Sequence, residues 1–109
     1  MERLFSYGTL QDETVQRTIF GRTLEASRDA ILGHRLTTIQ NSNPDAVAIS
    51  GLAVHTALEP DANGTPIEGS LFHISAEELA QADKYESAEY KRIKVSLRSG
   101  TDAWVYVRA

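Results

Sequence analysis

The chain has no cysteine, and this absence excludes two classes of site. Neither a disulfide nor a thiolate-bound metal can form, so nothing in the sequence requires an oxidising compartment. No stretch approaches the ~20 consecutive apolar residues of a membrane span, and the first residues lack the apolar run of a signal peptide. We therefore expect a soluble, unprocessed, cytoplasmic protein without a membrane partner.

Motifs of several common enzyme classes are also missing. The sequence has no glycine-rich phosphate motif and no G-x-S-x-G motif of the kind that presents a nucleophilic serine. His34, His55 and His73 fall in separate predicted strands without a Glu or His at metal-ligand spacing, so they are interpreted as ordinary strand-surface or core residues. No metal site is predicted.

The distribution of charge argues against a nucleic-acid partner. The chain carries 15 acidic and 11 basic residues, for a formal net charge of -4. Its lysines and arginines are scattered along the sequence, whereas a nucleic-acid surface needs them gathered into a patch or stripe. We therefore expect no nucleic-acid partner.

The length of the chain favours a single domain. With 109 residues, 41% of them hydrophobic, the chain can fill one modest core. Two short helices are predicted: Asp12 is placed to cap a helix over Glu13–Phe20, and a capping box of Ser75 and Glu78 starts a second helix that runs to about Tyr85. We expect one domain over residues 1–109.

Short strands account for most of the remaining chain. β-branched and aromatic residues that alternate with polar ones are their signal, and turn residues separate them. The predicted strands are Leu4–Tyr7, Ala30–Ile39 with a bend at Gly33, Ala46–Thr56 broken around Gly51, Ile67–Ile74, Ile93–Leu97 and Ala103–Val107, and Asn41–Asp45 is predicted to be a loop. This content, without regular βαβ alternation, predicts an α+β fold built on a small mixed, mostly antiparallel β-barrel.

The first candidate site is the turn Tyr7-Gly8-Thr9-Leu10, where the first predicted strand ends. A glycine at such a turn lets the backbone expose successive N–H groups, which bind carboxylates and phosphates well. A glycine that follows a strand is also ordinary turn chemistry. The residues of this segment alone leave both interpretations open.

The second candidate is Glu86, near the end of the second predicted helix. Residues seven apart lie nearly on one face of a helix, so Glu86 shares the face of Leu79 if the helix persists to its last turn. Burial and the helix C-terminus would then raise the pKa of this carboxyl into the range useful for acid/base work. If the helix ends earlier, Glu86 is a solvated terminal residue. Asp83, one turn before it, is assigned no role.

Taken together, the two segments resemble the γ-glutamylcyclotransferase-like family, also called AIG2-like. Tyr7-Gly8-Thr9-Leu10 near the start is paired with Tyr85-Glu86 and Tyr90-Lys91-Arg92 late in the chain, in the order and at the spacing of that family. Between them, Ile67–Ile74 is similar to the family's central strand, in which a glycine precedes a polar residue and an apolar pair. The likeness spans most of the chain.

The resemblance implies a mixed barrel with a cavity in which the backbone of Tyr7 to Leu10 holds a γ-glutamyl group. Glu86 would then take a proton from the substrate's α-amine, so that this nitrogen attacks the γ-carbonyl and 5-oxoproline is released. This is an acyl transfer with lyase-type release of an amine, and it needs no cofactor. A homodimer in which a second subunit covers the cavity is compatible with the resemblance.

Two other classes of function stay open at this point. In the first, a non-catalytic module binds a small carboxylate in the same cavity, and Glu86 is a binding residue. In the second, the chain is a structural interaction domain, for which the sequence offers no exposed apolar stripe or charged tail. The leading expectation is an enzyme that releases 5-oxoproline from a γ-glutamyl amine or γ-glutamyl peptide.

Overall fold

The chain folds into seven strands and three α-helices in a computed structural model, which describes every residue apart from the side chain of Ser87. A short 3-10 turn over Thr9–Gln11 overlaps the end of the first candidate segment, and a second over Ser87–Glu89 follows Glu86 directly. The elements are β1 Glu2–Ser6, α1 Glu13–Phe20, β2 Ala26–Ile31, β3 His34–Gln40, α2 Pro44–Ser50, β4 Val54–Pro60, β5 Ile67–Ile74, α3 Ala76–Glu86, β6 Tyr90–Ser96 and β7 Asp102–Arg108.

Five of the strands form one sheet in the order β2-β5-β1-β7-β6, and β3 and β4 form a separate two-stranded sheet. The central strand β1 is antiparallel to β5 and parallel to β7, and the other three pairings are antiparallel. The predicted α+β class with mostly antiparallel pairing is therefore confirmed. The two sheets pack with β4 against β7, but strand pairing does not close them into a barrel.

The helices at the two candidate segments begin as their capping residues predict. The Asp12 side chain accepts hydrogen bonds from the N–H groups of Thr14 and Val15 at the start of α1. At the start of α3, the backbone N–H of Ser75 donates to the Glu78 carboxylate, and the N–H of Glu78 donates to the Ser75 hydroxyl. These reciprocal bonds satisfy N–H groups that have no partner within the helix.

The segment from Asn41 to Thr56 differs from its prediction, because it contains the third helix, α2. The Asn43 side chain accepts from the N–H of Asp45, Pro44 occupies the first turn, and Gly51 ends the helix with a φ of 74°. Asparagine and proline were interpreted as loop residues, but they are also N-cap and first-turn residues. The predicted loop is correct for residues 41–43 and wrong from Pro44 onward, and the predicted broken strand before residue 54 and the prediction of only two helices are wrong.

The predicted bent strand over Ala30–Ile39 is also wrong, because it is divided between two sheets. Gly33 has a φ of 73°, a left-handed conformation that reverses the chain instead of bending a strand. Before it, β2 pairs with β5, and after it, β3 pairs with β4. The turn at Gly33 thus directs the chain into a second sheet, where β3 pairs with β4, and β4 supplies residues to the candidate site.

The core consists of two layers that meet at β1. Leu4 belongs to a cluster with Phe72 and the buried residues of the helices, and Phe5 belongs to a cluster with Leu58 and Val105 on the opposite face. This division follows because successive side chains of a strand point to opposite faces of its sheet. Burial on both faces holds β1 in place, and with it the turn that follows.

Gly69 in β5 allows β1 to approach its neighbour closely. A Cβ atom at this position would lie 2.4 Å from the carbonyl oxygen of Ser6 and 2.6 Å from the Phe5 ring. Backbone cannot yield cheaply to such a contact, so the position requires glycine. The glycine that the sequence places in this strand therefore fixes the last two residues before the Tyr7 turn.

We expect Gly69→Ala to destabilise the fold by about 1–3 kcal/mol, the usual cost of overpacking. Gly51→Ala is the comparison, because it introduces the same methyl group with no neighbour within 4 Å and strains only the left-handed backbone, at about 1–2 kcal/mol. Urea unfolding measures both variants. The steric account fails if Gly69→Ala unfolds at the wild-type midpoint.

Candidate active site

The two candidate segments meet at a small cavity of about 20 Å³. It lies between the end of β1, the first residues of β4, the end of α3 and strands β6 and β7. Its lining residues are Phe5, Ser6, Tyr7, Gly8, Thr9, His55, Thr56, Glu86, Tyr90 and Tyr106. The structure thus brings together a turn near the start of the chain and a glutamate near its end.

The predicted site residues are not all placed alike. Tyr7, Gly8, Thr9 and Glu86 line the cavity. The Leu10 side chain does not, because it is buried in the core beside the helices. Leu10 can therefore reach a ligand only through its backbone, and its side chain anchors the turn from below.

Helix α3 turns Glu86 inward because its buried face runs to its last residue. Leu79, Ala82 and Tyr85 lie on the same buried side, and Glu86 itself is only 8% exposed. Among the described side chains, none donates a hydrogen bond to its carboxylate. Burial without compensation raises the pKa of Glu86 to about 8.

All four tyrosines of the chain surround this carboxyl group. Three of them line the cavity, and the fourth precedes Glu86 on α3. Burial is the main cause that raises the pKa of every one of these hydroxyls, and the charge of Glu86 adds to it in each case. The four hydroxyls, on Tyr7, Tyr85, Tyr90 and Tyr106, therefore stay protonated across the physiological range.

Two of the tyrosines are fixed by backbone carbonyl groups. The Tyr7 hydroxyl donates to the carbonyl of Tyr106, and the Tyr90 hydroxyl donates to the carbonyl of Thr56, both at 2.7 Å. These bonds tie the turn after β1 to β7, and the start of β6 to β4. The walls of the cavity are thus held by hydrogen bonds between strands of both sheets.

Tyr106 is held by a second network behind the cavity wall. Its hydroxyl donates to Asp83 Oδ1 at 2.7 Å, and Arg92 Nε lies 3.3 Å from the same oxygen. The Arg92 guanidinium stacks on Trp104, 4.4 Å from the ring centroid. Asp83, to which the sequence assigned no role, therefore orients a wall of the cavity.

His55 is a lining residue that sequence reasoning missed. Asn41 Oδ1 accepts from the N–H of Asn43, so its Nδ2 group faces His55 Nδ1 at 3.2 Å. On the other side, His55 Nε2 lies 2.9 Å from the carbonyl of Leu52, which can only accept. These contacts occupy both ring nitrogens within the chain, and the ring serves as a wall of the cavity.

No local signal in the sequence marks His55, because it reaches the cavity only when β4 packs beside the turn after β1. Thr56 and Tyr106 were missed for the same reason, since both enter the site only through tertiary packing. Tyr90 stood within the motif that the resemblance rests on, directly after the 3-10 turn Ser87–Glu89, and it was left without a role. Its place in the cavity wall was visible only in the folded chain.

The turn after β1 contains two backbone donors without an acceptor among the described residues. Gly8 is extended, with φ -125° and ψ -144°, and a Cβ there would lie 3.4 Å from Thr56 Oγ1. Among the described residues, the N–H groups of Thr9 and Leu10 have no hydrogen-bond acceptor. Both belong to the first turn of a 3-10 helix, whose N–H groups have no partner within it.

Metal and membrane functions find no support in the described residues. They contain no group of three or more His, Cys, Asp or Glu side chains that could hold a metal ion. The longest helix, α3, has 11 residues, and no helix has the length and apolar character needed to cross a bilayer.

Comparison with known proteins gives one family. Residues 4–109 match the sequence model of the family described as gamma-glutamyl cyclotransferase, AIG2-like. No curated protein matches the chain. The matched range includes both the Tyr7 turn and Glu86.

Solved structures share the fold at low sequence identity. An Arabidopsis thaliana protein, At5g39720.1, is similar with a TM-score of 0.75 and 19% identity, over 98% of this chain and 68% of that one. PH0828 from Pyrococcus horikoshii gives 0.69 and 15%, over 99% and 78%. A structure described as gamma-glutamyl cyclotransferase gives 0.71 and 12%, over 99% and 66%. The chain thus spans roughly two thirds to four fifths of their lengths.

The pKa of Glu86 predicts a specific dependence of stability on pH. The value is about 8 in the folded chain against an ordinary 4.5, so between these values the folded chain binds more protons than the unfolded one. Raising the pH across this window therefore lowers the free energy of unfolding relative to that of Glu86→Gln, by up to about 1.4 kcal/mol per pH unit.

Urea unfolding of both proteins from pH 5 to pH 8 measures this difference. Glu77→Gln is the control, because it makes the same chemical change at an exposed position on the same helix. Its difference from wild type should stay flat with pH. A flat difference for Glu86→Gln as well, or an NMR titration that places Glu86 at 4.5 or below, would contradict the desolvation argument.

Proposed function

Because the chain belongs to the gamma-glutamyl cyclotransferase, AIG2-like family, we propose that it releases 5-oxoproline from a γ-glutamyl amine or γ-glutamyl peptide. The observation that carries the proposal is the buried Glu86 carboxyl group, which has no partner among the described side chains and faces a cavity shared with the Tyr7 turn. Burying such a group without compensation is costly. A catalytic acid/base accounts for that cost.

In the proposed reaction, Glu86 moves one proton. The substrate's α-amine attacks its own γ-carbonyl carbon, a C–N bond closes the five-membered ring, and the bond to the leaving nitrogen breaks. Glu86 takes the proton that the attacking nitrogen loses and returns it to the leaving nitrogen, so that a neutral amine departs. Atoms and charges balance without water or a cofactor, and the intramolecular attack benefits from proximity.

The pKa of Glu86 suits this transfer. An α-amino group titrates at about 7.7–8.0, and burial brings the carboxyl to about 8. A proton can therefore pass between the two groups at little cost in free energy, which is the condition for efficient general acid/base catalysis near neutral pH. The surrounding tyrosines stay protonated and do not compete for this proton.

The turn after β1 would supply the donors that the substrate's negative charges need. The N–H groups of Thr9 and Leu10 have no acceptor among the described residues, and no lysine or arginine lines the cavity. We assign these N–H groups to the α-carboxylate of the γ-glutamyl group. The hydroxyl protons of the three tyrosines in the wall are already donated to other groups of the chain, so these N–H groups are also the available donors for the oxyanion that forms at the γ-carbon.

We expect Glu86→Gln to lose turnover while it retains ligand binding. The amide keeps the size of the side chain but cannot take up a proton at neutral pH, so kcat should fall by at least ~10²- to 10⁴-fold with a small change in apparent affinity. Mass spectrometry of 5-oxoproline, released from a panel of γ-glutamyl amines and dipeptides, measures turnover. Glu77→Gln, on the exposed side of the same helix, should turn over at the wild-type rate.

Two outcomes would contradict the proposal in different ways. If Glu86→Gln turns over like wild type, Glu86 is not the base, and the proton must move by another group. If wild type binds γ-glutamyl compounds but releases no 5-oxoproline from any of them, the chain is a carboxylate-binding module on the same fold. Calorimetry on the same preparations distinguishes binding from turnover.

A further inference from the structure

Helix α3 carries a second acid, Asp83, beside Glu86. The two residues are three apart, so their side chains are neighbours on the helix surface. The Tyr106 hydroxyl reaches them from β7 and donates to Asp83 Oδ1 at 2.7 Å, and Tyr106 also lines the cavity with Glu86. Burial and the bond to Asp83 raise the pKa of Tyr106 most, and the charge of Glu86 adds to them. One hydroxyl proton thus lies near two acids, and the half-buried Asp83 receives it.

Arg92 explains why Asp83 is the acceptor. The register of β6 and β7 pairs Arg92 directly with Tyr106, so the two side chains share a face of the sheet. Arg92 Nε lies 3.3 Å from the same Asp83 oxygen. A carboxylate with a cation beside it accepts a stronger hydrogen bond than an uncharged carboxyl group does. Glu86 has no such neighbour, because no lysine or arginine lines its cavity.

Stability does not account for this ion pair. The Arg92 and Asp83 side chains are 27% and 42% exposed, and ion pairs in contact with water contribute little to stability. Arg92 Nη1 is buried and has no hydrogen-bond partner among the described residues, which destabilises the folded chain. A role in directing the Tyr106 proton accounts for the arrangement.

Other titratable groups face Glu86 from four elements, and their hydrogen bonds are of a different kind. Two tyrosine hydroxyls donate to backbone carbonyls, a third shares a hydrogen bond with a threonine hydroxyl, and both ring nitrogens of a histidine have partners within the chain. None of these bonds involves a second acid, so Tyr106 is the described neighbour whose proton depends on one. The four groups are Tyr7 after β1, His55 in β4, Tyr85 in α3 and Tyr90 at the start of β6.

We propose that Asp83 is a positioning residue that, with Arg92 beside it, holds the Tyr106 hydroxyl proton away from Glu86. The acid/base then keeps a carboxyl group free of donors. The effect on turnover rests on the proposed function, in which Glu86 exchanges a proton with an α-amine. A hydrogen bond from Tyr106 would favour the charged form of Glu86 and lower its pKa below that of the amine. The two groups would then lose the match that makes the transfer efficient.

An NMR titration of Glu86 in Asp83→Ala tests the proposal. Alanine removes the acceptor at a partly exposed position and favours the helix, so the variant should fold. The Tyr106 hydroxyl is then released to donate to Glu86, whose pKa should fall from about 8 by about 1 to 2 pH units, as a hydrogen bond to a charged group allows. Glu77→Ala removes an exposed acid from the same helix and should leave the pKa of Glu86 unchanged.

Further variants separate the Tyr106 hydroxyl from the loss of charge at Asp83. Adding Tyr106→Phe to Asp83→Ala should return the pKa of Glu86 close to its wild-type value. If the pKa stays low, the released Arg92 acts on Glu86 directly and the proposal is wrong. Asp83→Asn keeps an oxygen to which Tyr106 and Arg92 can both donate, so it should resemble wild type.

Tyr106→Phe alone decides the question if Asp83→Ala does not fold. It removes a hydroxyl group whose proton goes to Asp83, so the pKa of Glu86 should not change. A rise would show that this hydroxyl already stabilises the charge of Glu86, and would overturn the proposal.

The pH dependence of turnover is the readout that a purely structural role would not move. The acidic limb of kcat/KM for release of 5-oxoproline reports the ionisation of Glu86 in the free enzyme, and it should move to lower pH in Asp83→Ala with the pKa measured by NMR. The substrate's amine titrates alike in every assay, so a difference between variants belongs to the enzyme.

The outcomes separate the positioning role from the reaction. If Asp83→Ala leaves the pKa of Glu86 unchanged and lowers activity equally at every pH, the positioning role is wrong and the proposed function stands. If no γ-glutamyl compound yields 5-oxoproline from wild type, the proposed function is wrong. The NMR titrations need no substrate, and they then decide by themselves whether Asp83 holds the Tyr106 proton.

Discussion

A carboxyl group without a described hydrogen-bond partner, buried among tyrosines, is the constraint on which the site depends. Water would stabilise the charged form of Glu86 by several kcal/mol. The fold excludes water from this carboxyl group, and its pKa therefore rises to about 8. The tyrosines around the carboxyl group do not offset this cost. The Tyr7 and Tyr90 hydroxyls donate their protons to backbone carbonyl groups instead of to the Glu86 carboxylate. The rest of the core must therefore supply the stability that the site removes.

The architecture explains how the chain sustains such a group. Strand β1 is paired on both edges and packed on both faces, so the turn after it is held without help from a ligand. Helix α3 contributes Leu79 and Tyr85 to the core on the face that carries Glu86. The network of Asp83, Arg92 and Tyr106 fixes the remaining wall. The walls of the cavity at Tyr7 and Glu86 thus belong to elements that also contribute side chains to the core, and the wall at Tyr106 is held by its network of polar side chains.

Sequence reasoning succeeded where a local signal has only one structural use. Asp12 and the pair Ser75 and Glu78 start helices in the structure as predicted, because side-chain capping acts within three or four residues. It failed between Asn41 and Thr56, where asparagine, proline and glycine serve both loops and helix ends. The fold class survived this error, because α2 lies outside the five-stranded sheet.

The sequence by itself determined the family, the α+β class and the caps of two helices. The spacing of Glu86 to Leu79 predicted an inward face only if the helix continued to its last turn, and the structure shows that it does. Only the tertiary structure decided the environment of that residue. The cavity walls formed by His55, Thr56 and Tyr106 belong to strands that are far apart in the chain. Helical periodicity is local and can be read along the sequence, but desolvation depends on every atom that packs around a group, and only the folded chain assembles those atoms.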